Sequence, residues 1–345
     1  MFRVLMLLPL IILILPGLSL KMKNEDYLSR ETCLNVKGLA AIMVVIGHMF
    51  EEPSTRFPPT VICQFGTMAV GLFFFFSGYG YADKELTVSY VKRKIINLWL
   101  PVLLLVPAYY ICYNYVTPIG NGRYYGIKLL TSFLNGDPII NVSWYTVAVT
   151  YLLITLALAK YVSAKKEGFQ AAMFWCVLIL AFQLYLTKVF ISGSGRHWLY
   201  TLHLFFVGVI WKRNELKLKK LLDRYVAAFF AAAVVLIAIS FVISPLSEFA
   251  GFIYVPIRVT GFVIFALSFL SCFKIGNPMM EFIGKNSVGL YLSHFLIIYQ
   301  LNRYISNSYV FIIASFALSL PIGVLYNMLV SKVNSAVVGK LASVK

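Results

Sequence analysis

Long apolar runs separated by short polar connections dominate this chain, and each run can cross a hydrocarbon layer of roughly 30 Å as a helix. Inside such a layer the backbone must satisfy its own hydrogen bonds, which leaves helices or a closed barrel. The runs do not alternate apolar with polar residues, so the barrel is excluded. Candidate spans fall at 3–20, 34–50, 62–82, 95–116, 143–160, 169–188, 198–211, 225–244, 251–272, 286–302 and 306–330. The expected fold class is all-α, a polytopic transmembrane helix bundle of about 10–11 spans. The connections are short and no fixed-period repeat is present, so residues 1–345 read as a single membrane domain. Residues 1–20 read as an extra N-terminal span. The alternative, a signal peptide, lacks a small-x-small cleavage site before Lys21-Met22-Lys23.

Composition agrees. Of the 345 residues 60% are hydrophobic and 12% charged, against about 25% charged in soluble domains. A net charge of +17 would suit a nucleic-acid binder if it lay on one face of a folded domain. Here the cations sit in alternate connections. Lys21, Lys23, Arg30 and Lys37 form one group, and Lys84, Lys92, Arg93 and Lys94 the next. Lys160, Lys165 and Lys166 follow, then the run from Lys212 to Arg224, then Lys274 with Lys285, and last Lys332, Lys340 and Lys345. These groups hold 22 of the 30 basic residues. By the positive-inside rule they are cytoplasmic, which puts the N-terminus outside and the C-terminus inside a cell (inner or plasma) membrane. No module that reads bases or phosphates of nucleic acid is present. The five cysteines are widely spaced without a CxxC pair, so neither a disulfide framework nor a metal site is expected.

Four histidines, His48, His197, His203 and His294, offer proton-transfer chemistry near neutral pH. His48 lies eleven residues beyond Lys37 on one span, about 16 Å along a helix axis. A cation at one mouth and an imidazole deeper in suit a substrate with an anionic head and a reactive end. His294 lies mid-span, where a polar ring needs a function or a satisfied hydrogen bond. His203 reads more as structural, and His197 as solvated. In Gly71-Leu72-Phe73-Phe74-Phe75-Phe76-Ser77-Gly78-Tyr79 the small Ser77-Gly78 step admits a close neighbour, helix or ligand. Tyr90-Val91-Lys92-Arg93-Lys94 reads either as a topology anchor or as a phosphate-binding surface. Neither a P-loop nor a dinucleotide fingerprint occurs.

In order and spacing, these segments resemble the acyltransferase 3 family of integral membrane acyltransferases. The first motif reads Arg30, then Leu34-Asn35-Val36-Lys37-Gly38, then His48. The second is the Gly71–Tyr79 stretch followed by Lys92-Arg93-Lys94 and Pro101. Ser143-Trp144-Tyr145 is similar to a third, and Gly284-Lys285-Asn286-Ser287 with Tyr291-Leu292-Ser293-His294 to the last, so the acyltransferase-like core spans 30–294. Asn35 stands where the family usually has Asp, Lys37 where it usually has Arg, and the acid often found after the Trp is missing.

The resemblance implies transfer of an acyl group, commonly acetyl, from cytoplasmic acyl-CoA to a hydroxyl of an extracytoplasmic acceptor such as a cell-envelope polysaccharide or glycan. Acyl-CoA would be a donor substrate, with no bound cofactor. His48 and His294 would be catalytic. Arg30, Lys37, Lys92 and Arg93 would bind the donor, and Ser77, Trp144 and Tyr291 would shape the cavity. A transporter or flippase for a lipid-linked or small polar substrate is the competing reading of the same spans and buried charges.

Overall fold

The computed structural model describes residues 14–20, 24–51, 61–113, 139–163, 200–243 and 251–343, together with 173, 177 and 180. The helices among them are α1 (Arg30–Glu51), α2 (Phe65–Tyr81), α3 (Val88–Tyr113), α4 (Trp144–Ser163), α5 (His203–Arg213) and α6 (Glu215–Arg224). They continue as α7 (Val226–Ile243), α8 (Gly251–Cys272), α9 (Pro278–Lys285), α10 (Ser287–Tyr304) and α11 (Ser308–Ser343). Two short strands, β1 (Leu18–Leu20) and β2 (Phe273–Ile275), complete the described elements. Among the described residues six stretches are long and apolar enough to cross a membrane: Arg30–Phe50, Ile62–Tyr81, Trp144–Val162, Val226–Ile243, Ile253–Cys272 and Ser308–Ala336. The protein is a multi-pass, helical membrane protein, as its hydropathy pattern requires.

Two expected spans need comment. The segment 3–20 does not run as helix to its end: residues 15–17 form a 3-10 turn and 18–20 form β1. Pro16 and Gly17 supply the reason, since proline removes a helical N–H and glycine favours leaving the helix. Most of the expected span 169–188 and all of 3–13 lie outside the described residues, as does His197.

The chain divides into two compact units, residues 1–82 with 203–324, and residues 83–202 with 325–345. In the first unit, small residues set the helix crossings. A Cβ on Gly78 of α2 would strike the Phe205 carbonyl of α5, and one on Gly208 of α5 would strike the Phe75 carbonyl of α2. The two glycines therefore let the backbones touch. Without water to expel, such close van der Waals fit is what holds helices together in lipid. The same device joins α1 to α9, where Gly38 faces the Met280 carbonyl and Gly284 the Leu34 carbonyl. Phe74, Phe75 and Phe205 are fully buried around these crossings.

Helices α7 and α8 pack as a pair. Arg258 of α8 is buried between them, and its Nε donates to Ser240 Oγ at 3.1 Å. Its guanidinium lies 4.0 Å from the centre of the Phe241 ring, a cation–π contact that offsets part of its lost hydration. At the other end of α8 the chain start is sewn in. Strand β1 pairs antiparallel with β2, Leu18 opposite Ile275. Asn24 donates from Nδ2 to the Leu270 carbonyl at 3.0 Å and from its backbone N–H to the Ser271 carbonyl at 2.8 Å. Those carbonyls belong to the last turn of a helix, which has no intrahelical donors left.

In the second unit Trp99 Nε1 of α3 donates to Thr150 Oγ1 of α4 at 3.1 Å, and Lys160 Nζ donates to the Lys84 carbonyl at 2.7 Å. Tyr326, in the distal part of α11, donates its hydroxyl to the Pro101 carbonyl of α3.

Candidate active site

The site is built on α1 and α10, both in the first unit. Eleven residues at about 100° each bring His48 to within about 20° of the face carrying Lys37, three turns away. One stripe of α1 thus carries a cation near its start and an imidazole near its end. Lys37 and His48 are half-buried and Arg30 is exposed at the first residue of the helix.

His294 comes to His48 from α10. The two ring centres are 5.2 Å apart with planes inclined by 30°. Phe295 stands edge-on to His48 at 5.5 Å, and the Tyr291 ring lies 5.9 Å from His294. His294 is 0% exposed. Its Nδ1 lies 3.1 Å from the Leu290 carbonyl, and a carbonyl can only accept, so Nδ1 carries the hydrogen. In the neutral ring this leaves Nε2 with a lone pair. Nε2 is buried and has no hydrogen-bond partner among the described residues. A buried polar atom left unsatisfied is expensive. His203 differs: its Nε2 is 2.8 Å from Thr260 Oγ1, the satisfied structural bond expected of it.

Asn35 departs from the family's usual Asp in a way its surroundings explain. It is 1% exposed, its Nδ2 donates to the Glu31 carbonyl at 3.0 Å, and its amide lies against Gly276. A neutral amide avoids burying a charge there. Ser77 is half-buried on α2 beside the Gly78 crossing. Lys92, Arg93 and Trp144 belong to the second unit. Lys92 and Arg93 are exposed near the start of α3, and Trp144 opens α4 after a turn in which Ser143 Oγ donates to the Ile140 carbonyl at 2.8 Å. His48, His294 and Tyr291 are therefore brought together, and Lys37 shares the helix face of His48.

Sequence reading missed a polar network at the basic end of the first unit. Tyr79 donates to Glu215 Oε1 at 2.5 Å, Lys212 pairs with Glu215 Oε2 at 2.7 Å, and Trp211 Nε1 donates to the Tyr27 hydroxyl at 2.8 Å. Lys219 lies 5.0 Å from the Tyr27 ring centre and pairs with Asp223. Burial holds the Tyr27 hydroxyl above the ordinary phenol range, so it remains an acceptor for Trp211 without ionising. The local signal was present in Lys212 and Glu215, three apart and of opposite charge, a spacing that places both on one side of a helical turn.

A family model, that of the acyltransferase domain of the acyltransferase 3 type, matches residues 34–331. The chain belongs to the acyltransferase 3 family. No curated protein and no solved structure matches it. Membership makes the protein a membrane-bound acyltransferase, which moves an acyl group from a donor to an acceptor. The match begins four residues into α1 and runs into α11, so both histidines of the acyltransferase's pair lie inside it.

Proposed function

We propose that the acyltransferase carries an acetyl group from cytoplasmic acetyl-CoA to a hydroxyl of an extracytoplasmic cell-envelope glycan, with the reaction centred on His48 and His294. The observation that carries this reading is the histidine pair itself, within the family's matching region, with His294 fully buried and His48 on the helix face of Lys37. Lys37 and Arg30, at the start of α1, meet the phosphates of the donor. Lys37 supplies a point charge rather than a bidentate fork.

His48 takes the proton of the acceptor hydroxyl as its oxygen attacks the thioester carbonyl. The new C–O bond forms, the C–S bond breaks, and the CoA thiolate leaves with the proton that the imidazolium returns. His294 serves this proton traffic through Nε2, whose lone pair is otherwise unanswered, while the Leu290 carbonyl fixes its tautomer. Tyr291 and Ser77 shape the walls. General acid–base catalysis of this kind contributes about 10²–10⁴-fold to rate.

The test joins chemistry to product. Envelope glycans from cells with and without the protein are compared by mass spectrometry. The expected difference is one acetyl unit per modified residue, absent again in His48→Ala cells. Unchanged glycan masses would overturn the acceptor assignment, and undiminished acetylation in His48→Ala would remove that residue from the reaction.

A further inference from the structure

Away from the histidine pair, the second unit holds a cavity of about 480 Å³ between α3 and α4. That volume lies within the usual range of ligand pockets, about 300–1,000 Å³. Its walls are two apolar stripes at helical spacing, with Val91, Ile95 and Ile96 on α3 and Ile154, Leu158 and Tyr161 on α4. Facing stripes of this kind ordinarily interdigitate. Here they are held apart between two fixed points: the Trp99–Thr150 hydrogen bond beyond one end, and the bond from Lys160 to the Lys84 carbonyl toward the other.

The polar groups of the wall side chains are those of Lys92 and Tyr161. Arg93 and Lys94 follow Lys92, and both reach back over the Tyr90 ring, at 5.8 and 5.6 Å from its centre. Burial, then Arg93, then Lys84 hold the Lys94 ammonium below its ordinary value. Among the described residues the ion pairs lie elsewhere, at Lys212–Glu215, Lys219–Asp223 and Lys285–Glu281. The acids nearest in sequence, Asp83 and Glu85, are exposed. An open apolar groove thus carries Lys92 on its wall, with Arg93 and Lys94 crowding each other over Tyr90 on the same turn of helix.

We propose that this groove seats one acyl chain of an anionic phospholipid, with the lipid phosphate against Lys92, Arg93 and Lys94. The match is one of chemistry: the chamber needs hydrocarbon, and the cations need a negative head. A free phosphate would leave the chamber unused, and a zwitterionic lipid would fill it without answering the charge. Juxtamembrane cations attract anionic headgroups in this way.

The assignment gives Lys92 and Arg93 a lipid in place of the donor expected of them, and it is tested without acyl transfer. The purified full chain is reconstituted in vesicles of equal phosphatidylglycerol and phosphatidylcholine, released in mild detergent, and its retained lipid is weighed by native mass spectrometry. The expected result is one phosphatidylglycerol per chain, preferred at least about tenfold, which one or two of the three cations would give alone. Leu158→Trp, which fills the groove, is expected to abolish the preference, and excess inorganic phosphate to leave the lipid bound. Should Leu158→Trp fail to fold, Ala157→Leu is the smaller filler and carries the same expectation. Equal retention of the two lipids by the natural chain, a preference that survives a folded filler variant, or release by phosphate alone would each overturn the proposal.

Discussion

His294 makes the sharpest demand of any side chain in the molecule. One ring nitrogen is committed to its own helix, and the other is buried with nothing among the described residues to meet it. If that atom served only the fold, an apolar ring of similar size would serve as well, since removing an unsatisfied buried group is neutral or stabilising. His294→Phe is therefore expected to unfold within a few degrees of the natural chain, or above it, while acyl transfer falls at least tenfold. Thermal unfolding and transfer assays on the same preparation check both halves. A drop in stability with transfer retained would mark His294 as structural. The chemistry of both histidines was legible in sequence, because polar rings in apolar runs stand out. Their meeting was not: the 245 residues between positions 48 and 294 say nothing about which helices touch. Asn35 and the Tyr27–Trp211 bond were hidden for the same reason.

At the scale of elements, the apolar runs predicted most helices to within a few residues, because length and hydropathy are properties of a segment alone. The α8 boundaries agree with the expected 251–272, and α7 differs from 225–244 by one residue at each end. Elements defined by neighbours escaped. Helix α9 is eight residues long and seats its Gly284 on α1, and β1 exists only because β2 lies alongside it. The glycine crossings give a direct test. A side chain at Gly78 has no room beside the Phe205 backbone, and forced overpacking costs about 1–3 kcal/mol. Gly78→Val is expected to lower the unfolding temperature and the yield of folded protein, whereas Gly80→Val, where the space is open, should leave both unchanged. Ser77 gains a plain explanation from the same crossing, as the neighbour of the residue that lets α2 and α5 touch.

For the molecule as a whole, charge sets the placement in the bilayer. Alternate connections hold most of the lysines and arginines, and such segments stay in the cytoplasm. A fluorescent reporter that matures only in the cytoplasm, fused after Lys345, is expected to fluoresce, and a periplasmically active phosphatase at the same position to be silent. The reverse pattern would turn the protein over and move Lys37 away from any cytoplasmic donor.

The stitching of residues 18–20 and of Asn24 to the far end of α8 also bears on how the protein is made. Leu270, one partner of Asn24, lies 246 residues later, so this segment must wait until the chain has been made past α8 before its mates exist. Early helices can enter the bilayer one by one, but this seam closes late. A nascent chain halted before Phe273 lacks β2 entirely, so the unzipped strand would distinguish an unfinished product from a finished one.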